Sequence, residues 1–259
     1  MIHLKTIEQI NEIRKVCHIT ADMFNELIPK IKAGLSTYQI DKMFENYIVS
    51  HGGKPAWWRE DFPGSVCISI NEEVIHGLPS KKRILKDGDL VSLDVGIDMN
   101  GYISDTTHSL LIGKVKPEVA KLKKVTEECL QAGIAACVVG NRISDISNAV
   151  YEIAVKNGYG VVYDYTGHGV GLDVHEEPSV PNCPSRGGNP RIKPGMVLAI
   201  EPMINMGVPD VKVAKDGWTV VTEDGSVSCH EEHTVAVYED HTEVLTDLDY
   251  NGQSILRKR

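Results

Sequence analysis

The sequence predicts an α+β fold, a pseudo-twofold domain over residues 1–259 with a curved antiparallel sheet and two helix pairs outside it. Three observations predict it. Amphipathic helices and apolar strands follow one another without the βαβ alternation of a parallel sheet. The chain resembles itself after a slide of 106 or 107 residues, which divides it into halves of about 1–125 and 126–259. Equivalent apolar strands in the two halves end in a carboxylate.

The elements follow in order. From Ile7 to Lys30, Ile10, Ile13, Val16, Cys17, Thr20, Met23, Phe24 and Leu27 recur at helical spacing, and Pro29 and Gly34 close the helix. Thr37 opens a second helix, with Ile40, Phe44, Tyr47 and Ile48 on one face and Gly52-Gly53 as its stop. The stretch "CISINEEVIHGLP" reads as an apolar strand running into a Gly and Pro turn, and "LKDGDLVSLD" (Leu85–Asp94) as a turn and a second strand. The turn Met99-Asn100-Gly101 folds the chain back, bringing Asp105 toward Asp94 and leaving Asp98 exposed.

The second half repeats this. A slide of 106 carries Gly34, Thr37, Ile40, Phe44, Tyr47 and Gly52 onto Gly140, Ile143, Ile146, Val150, Ile153 and Gly158. A slide of 107 lays Leu85–Asp94 over Ile192–Glu201, each a Lys-x-Gly turn, an apolar strand and a terminal carboxylate. A third overlay sets "SDTTHSLLIG" from Ser104 beside "EEHTVAVYE" from Glu231, with Asp105 against Glu232.

Composition bounds the function. The hydrophobic share of 42% suffices for a large core, and a net charge of −9 argues against nucleic acid as the main partner. The basic runs Ser80–Arg83 and Arg257-Lys258-Arg259 read as solvated surface. The polar N-terminus lacks a signal-peptide core, and no segment is long enough to span a membrane. Six scattered cysteines without a CxxC pair fit reduced, mostly buried thiols, and a cytoplasmic protein.

Asp94, Asp105, Glu201 and Glu232 would converge at the pseudo-twofold axis. Carboxylates in such apolar strands are costly to bury unless paired, and no Lys or Arg occupies matching positions. Two divalent cations would balance four negative charges, and oxygen ligands with one or two imidazoles suit Mn, Fe, Co or Zn. Such a pair can activate water.

Of the ten histidines, His3, His18, His51 and His241 carry no chemical context. His108 and His230 flank the carboxylate strands as candidate supports, and His233 points away from the face of Glu232. His168 sits in "TGHGVG", where glycines admit close approach. His76 ends an apolar strand, and His175 opens "HEEP". Glu176 and Glu177 read as hydrogen-bonding or surface groups, since consecutive residues of an extended segment face opposite ways.

The motifs "SINEEVIHG", "SLDVG", "GYISDTTHS", "YTGHGVG", "HEEP", "AIEPM" and "HEEHT", in this order, closely resemble those of the type I methionine aminopeptidases over essentially the whole chain. The resemblance implies a pita-bread fold and a hydrolase that takes N-terminal methionine from nascent proteins and peptides, preferentially before a small second residue. It implies that Asp94, Asp105, His168, Glu201 and Glu232 hold two divalent ions, with Asp105 and Glu232 bridging both. Asp94 would complete one site, and His168 with Glu201 the other. Metal-activated water would be the nucleophile and Glu201 its general base. His76 and His175 would be catalytic histidines at the substrate, His175 beside the oxyanion and His76 on the leaving amide.

Trp218, Phe62 and Cys67 are candidates for the methionine pocket, with ordinary core aromatics as the alternative. The loop "KPAWWREDFPG" departs from many relatives in its two tryptophans and Arg59. The short stretch from His175 to Glu201 and the absence of a cysteine-rich leading segment point to the compact bacterial form, and the resemblance implies a cytoplasmic monomer meeting nascent chains, including at the ribosome. Two other readings use the same ligands: an Xaa-Pro aminopeptidase or prolidase, and a binding protein that kept the fold without catalysis.

Overall fold

Helix α1 (Ile7–Leu27) opens on a reciprocal cap, in which Thr6 Oγ1 accepts from the Gln9 amide and Gln9 Oε1 accepts from the Thr6 amide. It tightens into a 3-10 turn at Ile28–Lys30, where Pro29 cannot donate the next helical hydrogen bond. Helix α2 (Thr37–Ser50) carries the same cap through Ser36 and Gln39. The computed structural model in which these elements are seen describes residues 1–250 and the backbone of 255–257. Lys258 and Arg259 of the C-terminal basic run lie outside the described residues.

The second helix pair is α3 (Pro117–Ala136) and α4 (Ile143–Lys156). α4 begins and ends 106 residues after α2. The turns repeat as well. Gly34 and Gly140 have φ of 94° and 98°, Gly52 and Gly158 of 83° and 80°, Gly88 and Gly195 of 97° and 87°. The tethers repeat: Gly34 N donates to Leu85 O and Leu85 N to Leu35 O, as Gly140 N does to Ile192 O and Ile192 N to Asn141 O. The internal similarity read from the sequence is thus a similarity of backbone.

All described strand pairs are antiparallel. Leu90–Met99 and Tyr102–Leu111 form a long hairpin in which Asp94 faces Thr107 and Asp105 faces Gly96. Asn100 and Gly101 turn it with φ of 55° and 84°, the paired positive values of a type I′ turn. The other edge of Leu90–Met99 pairs with Cys67–Ile70 and Lys54–Pro55. The second half holds a six-stranded sheet in the order 255–257, His241–Val244, His233–Val237, Val197–Ile200, Gly167–Gly169, Glu176–Val180. Two three-stranded ladders complete the sheets. The halves meet where Glu232 N donates to Thr107 O and Thr234 Oγ1 to Asp105 O.

Strand alternation then decides what faces what. Val91, Leu93, Val95 and Ile97 bury against α1 and α2, where Phe24 and Phe44 meet edge to face. Each of these fully buried rings stabilises the fold by about 1.5–3 kcal/mol. Leu198 and Ile200 bury with Leu130, Ile134 and Ile146 of α3 and α4. The alternate residues, including Asp94 and Glu201, face the other way.

The ladders correct one overlay. His233 lies opposite Ile200 and His230 opposite Met203, so the register survives the break at Glu201-Pro202 and Glu231-Glu232. In the first hairpin Leu93 lies opposite His108. By register the counterpart of Glu232 is therefore Thr107, and that of Asp105 is His230. The sequence overlay was two residues off because both segments are "x-T" apolar strands that align equally well by composition.

Cys17, Cys67, Cys129, Cys137 and Cys229 are buried free thiols and Cys183 is partly buried. Among the described residues no helix is long and apolar enough to cross a membrane. Lys81 and Lys82 are exposed, while Arg83 turns back to Glu73 at 3.3 Å.

Candidate active site

A cavity of about 510 Å³ opens on the face of the strands away from the helices. It is lined by Asp94, Asp105, His168, Glu201 and Glu232, by His76 and His175, and by Phe62, Cys67 and Trp218. Every sequence-derived candidate is thus brought to one place. Ligand atoms of Asp105, His168 and Glu232 lie within 4.8 Å of one another. No lysine or arginine lines the cavity among the described residues.

The electrostatics follow from that exclusion. Burial, with repulsion from Glu201, pushes Asp94 up to about 7, against the pull of His230 and His168. Burial and then Asp94 raise Asp105 well above the ordinary carboxylate range; burial and then Asp105 do the same to Glu232. Glu201 goes the other way. Burial opposes its charge, yet the nearby imidazoles of His168 and His230 hold it at about 2. His168 Nε2 is 3.3 Å from Glu201 Oε1 and 3.7 Å from Asp105 Oδ2; His230 Nε2 is 3.5 Å from Glu201 Oε2.

The donor set fits a divalent cation. Asp94 Oδ1 and Asp105 Oδ1 are buried and have no hydrogen-bond partner. Such atoms are costly to desolvate alone. His168 Nδ1 donates to Gly169 O at 3.0 Å, so Nε2 faces the carboxylates and would offer its lone pair to a cation on giving up the proton they hold there. Thr107 Oγ1 donates to Glu232 Oε2 at 2.9 Å and orients it. Asn182 Nδ2 donates to the Glu201 carbonyl at 3.0 Å.

The two other histidines stand at the wall. His76 has φ of 57°, an uncommon value for a residue with a Cβ, which costs about 1–2 kcal/mol and aims the ring into the cavity. Burial lowers its pKa to about 4. The ring lies edge-on to Tyr165 at 6.0 Å. His175 stands 4.5 Å from the His168 ring, and its Nδ1 is 3.6 Å from Glu60 Oε1. His108 lies away from the cavity against Phe24, edge-on at 4.7 Å, and His233 Nδ1 meets Thr246 Oγ1 at 2.9 Å.

Phe62 and Trp218 meet edge to face at 5.4 Å and form the apolar wall with Ile75. The loop with two tryptophans splits in role. Trp57 is buried and donates from Nε1 to the Asp94 carbonyl at 3.1 Å, while Trp58 is exposed. Arg59 binds Asp98 at 2.8 Å. Asp98, expected to be exposed, is consequently only 17% so, because the guanidinium lies over it.

Sequence reasoning missed Glu60, Trp57, Tyr165 and Asn182, and undervalued His230. Their partners lie far along the chain, and no spacing rule links them. A local signal existed only for Trp57, as the first aromatic of an unusual loop.

Comparison with known proteins bears on this geometry. The profile of Metallopeptidase family M24 matches residues 11–239. The methionine aminopeptidase of Treponema pallidum is 57% identical over 248 residues, spanning 95% of this chain and 97% of its own length. The crystal structure of methionine aminopeptidase from Rickettsia prowazekii has a TM-score of 0.92 at 36% identity, over 95% of this chain and 100% of that one. Prolidase from Pyrococcus furiosus has a TM-score of 0.77 at 26% identity, over 94% of this chain but 65% of its own.

Proposed function

The chain belongs to metallopeptidase family M24 and is a hydrolase of the methionine aminopeptidase kind, and on that premise we propose that it removes N-terminal methionine, preferentially before a small second residue. Asp94, Asp105, His168, Glu201 and Glu232 would hold two divalent ions. The observation that carries this is the convergence of three buried carboxylates, the half-buried Asp94 and an imidazole in a cavity that no lysine or arginine lines among the described residues. Bound there, divalent cations supply the Lewis acidity that makes water a nucleophile near neutral pH, and cellular supply as well as ligand type decides which metal serves.

The chain's own residues do the rest. Glu201 accepts a proton from water at its carboxylate. His175 steadies the developing oxyanion, and His76 contacts the amide nitrogen on the leaving side. Phe62, Trp218 and Cys67 receive the flexible thioether. Both halves line the cavity, so residues 1–259 act as one catalytic unit. Its substrates are nascent chains and peptides in the cytoplasm, a compartment that keeps free thiols reduced.

The test offers Met-Gly-Met-Met and Xaa-Pro peptides to the metal-loaded protein. Release of free methionine from the first is expected. Cleavage confined to Xaa-Pro bonds would instead assign the chain to the prolidase branch.

A further inference from the structure

The two glutamates that follow His175 take different paths. Glu177 is exposed. Glu176 turns inward: its side chain is 7% exposed, and Oε2 lies 2.8 Å from Lys5 Nζ, on a side chain only 1% exposed. Its other oxygen, Oε1, accepts the amides of Leu172 at 2.9 Å and Asp173 at 3.2 Å. Those amides open the turn that presents His175. One carboxylate thus ties the start of the chain to the backbone behind a cavity-lining histidine.

Lys5 is held at its other end. Its amide donates to Gly195 O at 2.7 Å. Gly195 has φ of 87°, and a Cβ there would meet Lys5 O at 2.9 Å. Two residues later begins Val197–Ile200, the strand that delivers Glu201. The same N-terminal residue therefore touches both the turn before His175 and the turn before Glu201. Buried ion pairs are poor sources of net stability, because desolvation offsets their attraction. Their directional hydrogen bonds still fix geometry.

We propose that Lys5 and Glu176 are positioning residues of the active site, their buried ion pair setting the turn that holds His175 against the cavity. The N-terminal segment is then a working part of that site. This rests on the reading of His175 as substrate-facing.

The test uses the full chain. Lys5→Met leaves buried Glu176 with only the His3 imidazole, 3.7 Å away, and Glu176→Gln removes the charge at constant shape. In both, kcat for Met-Gly-Met-Met falls about tenfold to 100-fold with KM nearly unchanged, the effect of a displaced catalytic group. Lys5→Arg restores most of the rate. In the metal-free protein the Leu172 and Asp173 amides exchange with solvent at least about tenfold faster in both variants, as expected when a protecting hydrogen bond is loosened. That measurement needs no turnover, so it separates failure of the pair from failure of the aminopeptidase reading. Unchanged exchange and unchanged kcat in folded Lys5→Met, with only a lower melting temperature, would overturn the proposal. Should Lys5→Met not fold, the same result in Glu176→Gln would do so.

Discussion

The two halves of the molecule share a scaffold and divide the chemistry. Both place a left-handed glycine before the second helix of the pair, another after it and a third before the strand that carries an acid. Yet the first half keeps an unbroken hairpin and contributes Asp94 and Asp105, while the second interrupts its ladder at Glu201-Pro202 and Glu231-Glu232. The second half also supplies the imidazoles that meet Glu201. His168 and His230 hold Glu201 ionised, whereas burial raises Asp94, Asp105 and Glu232, with Glu201 repelling Asp94 and Asp94 repelling Asp105. The lesson is that backbone handedness was retained between the halves, and strand-end polarity was not. Both halves offer acids raised by burial, and the second also brings the imidazoles that keep one of them, Glu201, ionised.

The largest test breaks the acid cluster in the first half. Asp105→Asn is expected to lower kcat/KM by more than about 10³, roughly 4 kcal/mol at the transition state. Without metal the same variant should melt higher than the parent, because one repelling carboxylate is gone. Steady-state kinetics and calorimetry of the metal-free protein read the two effects. A variant that loses activity and also melts lower without metal would contradict the picture of mutual repulsion.

Next in size is the cation itself. Added at 100 times its dissociation constant, Mn or Co is expected to stabilise the protein by about 2.7 kcal/mol. For a chain of this length that corresponds to about 5–11 °C in melting temperature. Chelator should reverse the shift, and Asp105→Asn should abolish most of it. No shift with any divalent ion would remove the metal reading.

The smallest test addresses the shared scaffold. Gly52 and Gly158 have φ of +83° and +80°, and each has open space where a Cβ would stand. Alanine at either should cost only the backbone strain, about 1–2 kcal/mol. The two losses should be equal, additive and without effect on kcat. Unequal losses in denaturant titrations would mean that the halves differ in mechanics as well as in chemistry.

Much of this was legible before any coordinates. The helices α1, α2 and α4 follow from apolar spacing, and α4 lies where a slide of 106 sets it. The ligand candidates gathered in one cavity because strand ends and glycine turns mark them locally. Register was harder. A shift of two leaves every side chain on its own face, so alternation alone could not choose between Thr107 and Asp105 as the counterpart of Glu232.

By itself, then, the sequence determined the α+β class, the repeat, the helices α1, α2 and α4, and which residues are candidates to bind metal. Those depend on hydrophobic period, turn handedness and residue chemistry, all properties of short segments. Only the tertiary structure decided that His230 shares Glu201 with His168, that Trp57 holds the Asp94 carbonyl, that Arg59 covers Asp98, and that Lys5 reaches Glu176. Each of these joins groups from separate segments of the chain. Their pairing is set by which faces the folded sheets bring together and by the cost of leaving a buried charge unpartnered.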